Sequence, residues 1–451
     1  MTRNKLQKRL FGTNGARGEV GRDMTPDLIL SIGMALAAMR GGTIATGRDT
    51  RTSGPALSAA VRAGIMAGGS DVVDYGVLPT PALQFLVRDT ADAGAMITAS
   101  HNPPQYNGIK IIEPDGTEMG DQEVLELEAL IYDTPPDSVP WDETGRETTD
   151  PESIGRYIDA IVDHVPAGIG EGLTVVVDPG SGPAVHTTPE ILSRLGCTVH
   201  TVNGTPDGRF PGRLPEPSPD GLAALASMVR ETGADFGVAH DGDADRAVFV
   251  DENGEYIEEN KEFAIIARQV CRGRAGLVVT PVSTSRLVED VITEMGSRVV
   301  ATPVGSIYVA RRMRRLIEEG EAVIFGGEGN GGLIYPDHQF CRDGGMTAAM
   351  MAVILADARR PLSGLAENLP SYHLIKDRID VPDPGRLMER LDRAFSPEEI
   401  DRTDGIKIRR DDVSLLVRPS GTEPILRVMV ESPREDAARA AYREIMDILT
   451  G

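Results

Sequence analysis

One pattern recurs along most of this 451-residue chain and limits what it can fold into. A short apolar segment runs into a polar loop rich in Gly or Asp, and an amphipathic helical stretch follows. The junctions are GGTIATGRDTR (41–51), AGAMITASHNPP (93–104), LTVVVDPGSG (173–182), DFGVAHDGDADR (235–246), GLVVTPVSTS (276–285) and AVIFGGEGNGG (322–332). Helical periodicity is expected at Asp121–Tyr132, 220–232, 261–271, 286–295, 307–319 and 346–359, and Thr25-Pro26-Asp27 has the residue order of a helix cap and first turn. Strand–loop–helix alternation predicts an α/β fold of parallel or mixed sheets covered by helices. Ligands of such sheets bind beyond the carboxyl ends of the strands, which makes these loops candidate site material.

The length exceeds what one hydrophobic core supports, so several domains are expected. Residues 133–152 are rich in Pro, Asp and Thr and read as a linker; Asp251-Glu252-Asn253-Gly254 reads as a turn between units, and the pattern breaks again at 360–370. These breaks divide the chain into 1–145, 153–251, 252–362 and 370–451, the last a smaller α+β domain ending in a helix over 434–449.

Composition narrows the partners. The formal charge is −23, only 4% of residues are aromatic, and of 46 basic residues 40 are Arg and six are Lys. Such a surface repels nucleic acid and anionic lipid, so neither is expected as a partner. The Lys-poor, acid-rich balance is that of proteins working in concentrated salt. Three cysteines, Cys197, Cys271 and Cys341, lie far apart without a CxxC, as expected of a reducing cytoplasm. No apolar signal segment follows the basic N-terminus, and the longest apolar run, 348–356, is half the length of a bilayer span.

Five loops carry chemistry. DGDADR (241–246) sets Asp241, Asp243 and Asp245 at alternate positions, where a strand-end loop can turn all three to one point. Oxygen-only ligation of that kind selects Mg²⁺ or Ca²⁺. A calcium EF-hand shares the spacing, but Arg246 stands where its loop needs Gly and the flanks read as strands. In TASHNPPQYNGIK (98–110), Ser100 offers a hydroxyl among small residues; His101 and Lys110 are possible proton carriers, the lysine only if burial or cationic neighbours lower its pKa. No GxSxG elbow is present, which weakens a serine-hydrolase reading. RPSGTEP (418–424) combines Arg418, Ser420, Gly421 and Thr422, the makings of a phosphate cradle. FGTNGARG (11–18) and GRDTR (47–51) add Arg17, Arg48 and Arg51, also suited to anions, and GGEGNGG (326–332) sets Glu328 and Asn330 among glycines, able to hydrogen-bond hydroxyls.

In order and spacing, FGTNGARG, TASHNPPQYNGIK, DGDADR, GGEGNGG and RPSGTEP together resemble the α-D-phosphohexomutase family along nearly the whole chain. The resemblance implies a heart-shaped, four-domain protein with three similar mixed α/β domains and a smaller C-terminal α+β domain. It implies that Ser100 is a phosphoserine, that Asp241, Asp243 and Asp245 hold Mg²⁺ together with it, and that Lys110 and His101 serve proton transfer and phosphate contact. Arg17 and Arg246 then match active-site arginines, Glu328 and Asn330 a sugar-specificity loop, and Arg418, Ser420, Gly421 and Thr422 a distal phosphate loop. The implied reaction moves phosphate between carbons 6 and 1 of a hexose through a bisphosphorylated sugar, with a hexose 1,6-bisphosphate as activator and a sugar phosphate as partner of a monomer or homodimer. FGTNGARG and a TPVSTSRL segment without Lys look more like the family's phosphoglucosamine mutases, so glucosamine phosphate is the expected substrate. Asn330-Gly331-Gly332 departs from the Ser-Gly-His of many relatives, which keeps mannose and glucose phosphates as the alternative. A non-catalytic sugar-phosphate-binding protein would use the same loops without phosphorylating Ser100.

Overall fold

The computed structural model describes residues 8–396, 400–419 and 425–450. It separates into two compact units. The first runs to Ile257 and takes in Asn330–Gly364; the second comprises Glu258–Gly329 and the chain from Leu365 onward.

In the first unit, six strands form one sheet: β1 (Ala16–Glu19), β2 (Thr43–Arg48), β3 (Asp71–Val77), β4 (Ala93–Ile97), β5 (Tyr106–Ile112) and β6 (Glu147–Thr149), in the order β1-β5-β4-β2-β3-β6. β2 lies parallel to both β3 and β4, and β4 pairs antiparallel with β5. Every residue of β4 is buried, as its unbroken run of small and apolar residues requires of a central strand. Helices Pro26–Arg40 and Gly54–Ala67 cover the sheet side by side. Their backbones meet at Gly33 and Gly64: a Cβ on Gly33 would stand 2.4 Å from the Val61 carbonyl oxygen, and one on Gly64 2.1 Å from that of Leu30. As the sequence anticipated, Thr25 caps the first of these helices, accepting a hydrogen bond from the Leu28 amide at 3.3 Å with Pro26 at its first position.

The second sheet repeats the arrangement. β7 (Thr174–Asp178) is flanked in parallel by β8 (Thr198–Thr201) and β9 (Phe236–His240), and β9 turns antiparallel into β10 (Ala247–Asp251). In the second unit β12 (Leu277–Pro281) is likewise flanked in parallel by β13 (Arg298–Thr302) and β14 (Val323–Glu328), after which β15 (Gly332–Ile334) lies back in the first unit. The C-terminal sheet is different. β16 (His373–Asp380), β17 (Ile400–Asp401), β18 (Ile406–Arg410), β19 (Val413–Pro419) and β20 (Ile425–Ser432) are all antiparallel, in the order β16-β20-β19-β18-β17. Helices Pro384–Ala394 and Glu435–Thr450 pack on it, closing a core around Leu391, Leu426 and Ile445.

Two stretches differ from the sequence reading. The expected linker 133–152 contains β6, which pairs parallel with β3 while the Val139 and Gly145 amides bond to the Ala67 and Met66 carbonyls. An exposed sheet edge offers unpaired backbone groups, and this segment meets them despite its polar composition. Asp251–Gly254, expected between units, is instead the tip of a hairpin joining β10 to β11 (Tyr256–Ile257), so the second sheet continues past it. Among the described residues no helix is long and apolar enough to cross a membrane.

Ile44 on β2 is fully shielded in the core of the first sheet. Ile44→Ala is expected to lower unfolding free energy by about 2–5 kcal/mol, read from denaturant titration.

Candidate active site

Loops after β4 and β9 build the cluster around Ser100 and the three aspartates, which lies in the first unit. The six residues Asp241–Arg246 form the turn of the β9–β10 hairpin, closed at its base by the His240–Ala247 pair and by a contact of 2.9 Å between His240 Nδ1 and the Arg246 carbonyl. Ala244 sits in the left-handed region at φ 58°, which bends the turn so that alternate carboxylates converge. Ligand oxygens of Asp241, Asp243 and Asp245 lie within 4.8 Å of one another, and none of the three residues is more than 2% exposed.

Ser100 occupies the loop between β4 and β5 and is itself left-handed at φ 48°. Its hydroxyl donates to Asp241 Oδ2 at 2.7 Å. The approach of the two loops is close enough to need a glycine: a Cβ on Gly242 would stand 2.3 Å from the Ser100 carbonyl oxygen.

Cations from elsewhere in the unit offset the triad. Lys110 on β5 places Nζ 2.9 Å from Asp243 Oδ2 and 3.0 Å from Asp245 Oδ2. Arg342 donates to Asp245 Oδ2. Arg246 bonds Asp241 Oδ2 through Nε and Nη2, each at 3.3 Å, and grips Glu216 with both terminal nitrogens at 2.9 and 3.1 Å. Arg17 on β1 holds Asn102 Oδ1 at 3.1 Å, while its buried Nε has no hydrogen-bond partner. Thr80, at the start of a helix, donates its hydroxyl to Asp243 Oδ2 at 2.7 Å.

These contacts set the protonation states. Burial and the neighbouring Asp245 charge raise Asp241 to about 7, against the pull of Arg246. For Asp243, burial is outweighed by Lys110 and Thr80, and the carboxyl falls far below its ordinary range. Lys110 is raised above its ordinary value, because Asp243, Asp245 and Glu118 overcome the cost of burial. It is held as an ammonium ion, and the lowered pKa that a base would need is not met in this arrangement. Burial, then Arg246, brings His101 down to about 4, leaving a neutral ring with Nδ1 3.5 Å from the Ser100 hydroxyl.

The donor set fits a hard divalent cation. Asp243 Oδ1 and Asp245 Oδ1 are buried acceptors without a hydrogen-bond donor, an expensive state for a carboxylate oxygen unless an ion takes it up. With the oxygen-only chemistry of the triad, these two atoms mark where a cation would be held.

The remaining sequence candidates divide between the units. Asn330 lies in the first, its side-chain oxygen accepting from the Gly332 amide at 3.2 Å, and the Gly331 carbonyl receives the Ala247 amide at 3.0 Å, so this stretch runs beside the triad hairpin. Glu328 ends β14 in the second unit and is buried. Arg418, also in the second unit, stands 3.7 Å from Asp404, and its buried Nε has no hydrogen-bond partner. Ser420, Gly421 and Thr422 lie outside the described residues. Arg51, read from its loop as an anion-binding group, is instead wholly buried and paired with Asp49 at 3.1 Å. Thr80, Glu216 and Arg342 were missed by the motif reading, since each lies more than 20 residues from the carboxylates it serves or the arginine it pairs with.

Because the folded protein holds a proton on Asp241 up to about pH 7, a cation entering the triad must expel it. Apparent affinity for Mg²⁺ or Mn²⁺ is expected to rise about tenfold per pH unit below 7 and to level off above it. Calorimetric titrations in buffers of different ionisation enthalpy will show the released proton. In the cation-free protein the same raised pKa contributes a loss of stability as pH rises from about 4 to about 7.

Comparison with known proteins agrees in every part of the chain. Family models for the phosphoglucomutase/phosphomannomutase α/β/α domains I, II and III match residues 8–135, 155–254 and 258–372, and the model for the C-terminal domain matches 378–448. A protein of Methanopyrus kandleri described as a probable phosphoglucosamine mutase is 44% identical over 97% of both chains. One of Thermococcus kodakarensis described as a phosphoglucomutase/phosphomannomutase is 42% identical over 96% of both. The crystal structure of a phosphoglucomutase/phosphomannomutase family protein from Burkholderia thailandensis superposes with a TM-score of 0.87, covering 98% of this chain and 96% of its own at 27% identity. With all four domains matched in order and full-length relatives above 40% identity, the chain belongs to the phosphoglucomutase/phosphomannomutase family of phosphohexomutases.

Proposed function

We propose that the protein interconverts glucosamine 6-phosphate and glucosamine 1-phosphate, using Ser100 as the phosphoryl carrier. The observation that carries this reading is the Ser100 hydroxyl, 2.7 Å from Asp241 in a buried carboxylate cluster that retains two undonated oxygens. A hexose 1,6-bisphosphate primes the enzyme by leaving one phosphoryl group on Ser100. The P–O bond from Ser100 then breaks as one forms to the free hydroxyl of the sugar monophosphate, the hydroxyl proton departs to a base while the freed Ser100 oxygen takes up a proton, and a bisphosphorylated sugar results. That intermediate turns round, and its other phosphoryl group returns to Ser100.

Phosphoryl transfer depends on position and charge neutralisation rather than on covalent help from the protein. Asp241, Asp243, Asp245 and the phosphorylated Ser100 would hold Mg²⁺, which when bound supplies positive charge to the transferring group. Lys110, Arg17 and Arg246 add fixed positive charge. His101, neutral and 3.5 Å from the Ser100 hydroxyl, is the base we assign to the proton. Glu328 and Asn330 are assigned to the sugar hydroxyls. Arg418 is assigned to the non-reacting phosphate, supported by its unpaired buried Nε, with Ser420, Gly421 and Thr422 joining it on sequence alone. All these residues come from one chain. A reducing cytoplasmic setting belongs to the same reading and is supported by three cysteines that are buried and unpaired.

Glucosamine phosphate is favoured by the name carried by the 44% identical relative. The broader phosphoglucomutase/phosphomannomutase name of the 42% identical relative supports mannose and glucose phosphates as the second reading. Coupled assays on the three hexose 6-phosphates in parallel decide between them by kcat/KM, and the glucosamine compound is expected to lead.

After incubation with glucose 1,6-bisphosphate, intact mass is expected to rise by about 80 Da, localised to Ser100. Ser100→Ala is expected to remove at least about 10⁴-fold of the turnover while leaving the chain folded. Full turnover in that variant overturns the proposal, and binding without any turnover in the wild type favours a non-catalytic sugar-phosphate-binding protein.

A further inference from the structure

Arg51 is wholly buried, and its guanidinium donors all end on the chain itself. Nε bonds Asp49 Oδ2 at 3.1 Å. Nη1 bonds the Pro103 and Tyr106 carbonyls at 2.7 and 2.8 Å, and Nη2 those of Ser100 and Asn102 at 2.7 and 2.6 Å. Four carbonyls from residues 100–106, the loop after β4 and the first residue of β5, thus converge on a single planar cation, which also lies over the Phe210 ring, 5.3 Å from its centroid. Asp49 works on the other side of the same residue, Ser100. Its Oδ2 accepts the Thr98 hydroxyl at 2.7 Å, and that hydroxyl oxygen accepts the Ser100 amide at 2.9 Å. Ser100 is therefore held at its N–H by Thr98 and at its C=O by Arg51, and Asp49 ties the two holders together.

We infer that Arg51, Asp49 and Thr98 form a positioning clamp for phosphoryl transfer, keeping Ser100 in its left-handed conformation with the hydroxyl on Asp241. The inference rests on Ser100 being the phosphoryl carrier. A serine at φ 48° is strained and persists only where its surroundings over-determine it; released, the residue returns to a negative φ and carries its hydroxyl away from the triad. Lysine cannot replace the arginine, because its point charge with three donors cannot reach four carbonyls and a carboxylate held by a planar fork. The clamp's hydrogen bonds are spent on the chain itself, so it acts on rate through geometry and leaves ground-state binding in place.

The test compares the full-length wild type with Arg51→Lys, Thr98→Val and Thr98→Ser. Each is assayed for kcat and KM, for Mn²⁺ binding by calorimetry on the unphosphorylated protein, where the three aspartates alone hold the ion, for thermal midpoint, and for Ser100 phosphorylation after incubation with glucose 1,6-bisphosphate. Arg51→Lys and Thr98→Val are expected to lower kcat by about 100-fold, the scale of an ångström-level misplacement, with KM and Mn²⁺ affinity within about threefold of wild type. Thr98→Ser keeps the hydroxyl and is expected to restore kcat to within about threefold. If Arg51→Lys does not fold, the Thr98 pair decides. A folded Thr98→Val with wild-type kcat overturns the inference, as does a kcat loss matched by equal loss of Mn²⁺ affinity or left unrescued by Thr98→Ser. A wild type that turns over while Ser100 stays unphosphorylated removes the functional reading itself, whatever the variants do.

Discussion

Three carboxylates gathered within 4.8 Å and shut away from water are the constraint to which the rest of the first unit answers. Two like charges at that distance repel by roughly 4 kcal/mol at an effective dielectric near 20, and each also loses hydration. The fold offsets this with Lys110 from β5, Arg246 from the hairpin itself and Arg342 from the segment that re-enters the unit after residue 330. Even so, one carboxyl keeps its proton to about pH 7. Two oxygens remain without donors, and a cation held there would complete the balance.

Repetition of one sheet pattern explains why each motif loop falls where it does along the chain. β4, β9 and β14 hold the same place in their sheets, each parallel to the strand preceding it in space. Each ends in one of the motif loops: the Ser100 loop, the Asp241–Arg246 hairpin turn and the 326–332 glycine loop. A loop at the carboxyl end of a central parallel strand is open to ligand on one side and braced by buried strands on the other. Three copies of that position carry three different polar loops on similar scaffolds.

Much of this was legible in the chain. DGDADR and TASHNPP announce themselves because their residues act on their neighbours within a few positions, where spacing and turn chemistry are readable. Arg51 was misassigned because a glycine-rich loop with arginines looks the same whether it faces an anion or its own carbonyls; only its burial among the 100–106 carbonyls distinguishes the two. Lys110 was open to reading as a base until its distance to two aspartates made it a counter-ion. The 133–152 segment looked like a linker because edge strands carry little hydrophobic signal, and all three residues of β6 are polar and exposed. The hairpin tip at 251–254 resembled a boundary because a turn within a sheet and a turn between domains use the same residues.

The amino-acid sequence by itself determined the alternation of strands and helices, the loops that bear the chemistry, and the family to which their order belongs. These follow from local periodicity and short-range spacing, which a linear chain displays in full. Folding in three dimensions sets the company each group keeps: which oxygens are left without donors, which arginine braces a loop and which pairs with a carboxylate, and which proton is held where. Those are properties of burial and of distances between residues far apart in the chain, such as Ser100 and Asp241, 141 positions apart, or Thr80 and Asp243, 163 apart, and no local pattern encodes them.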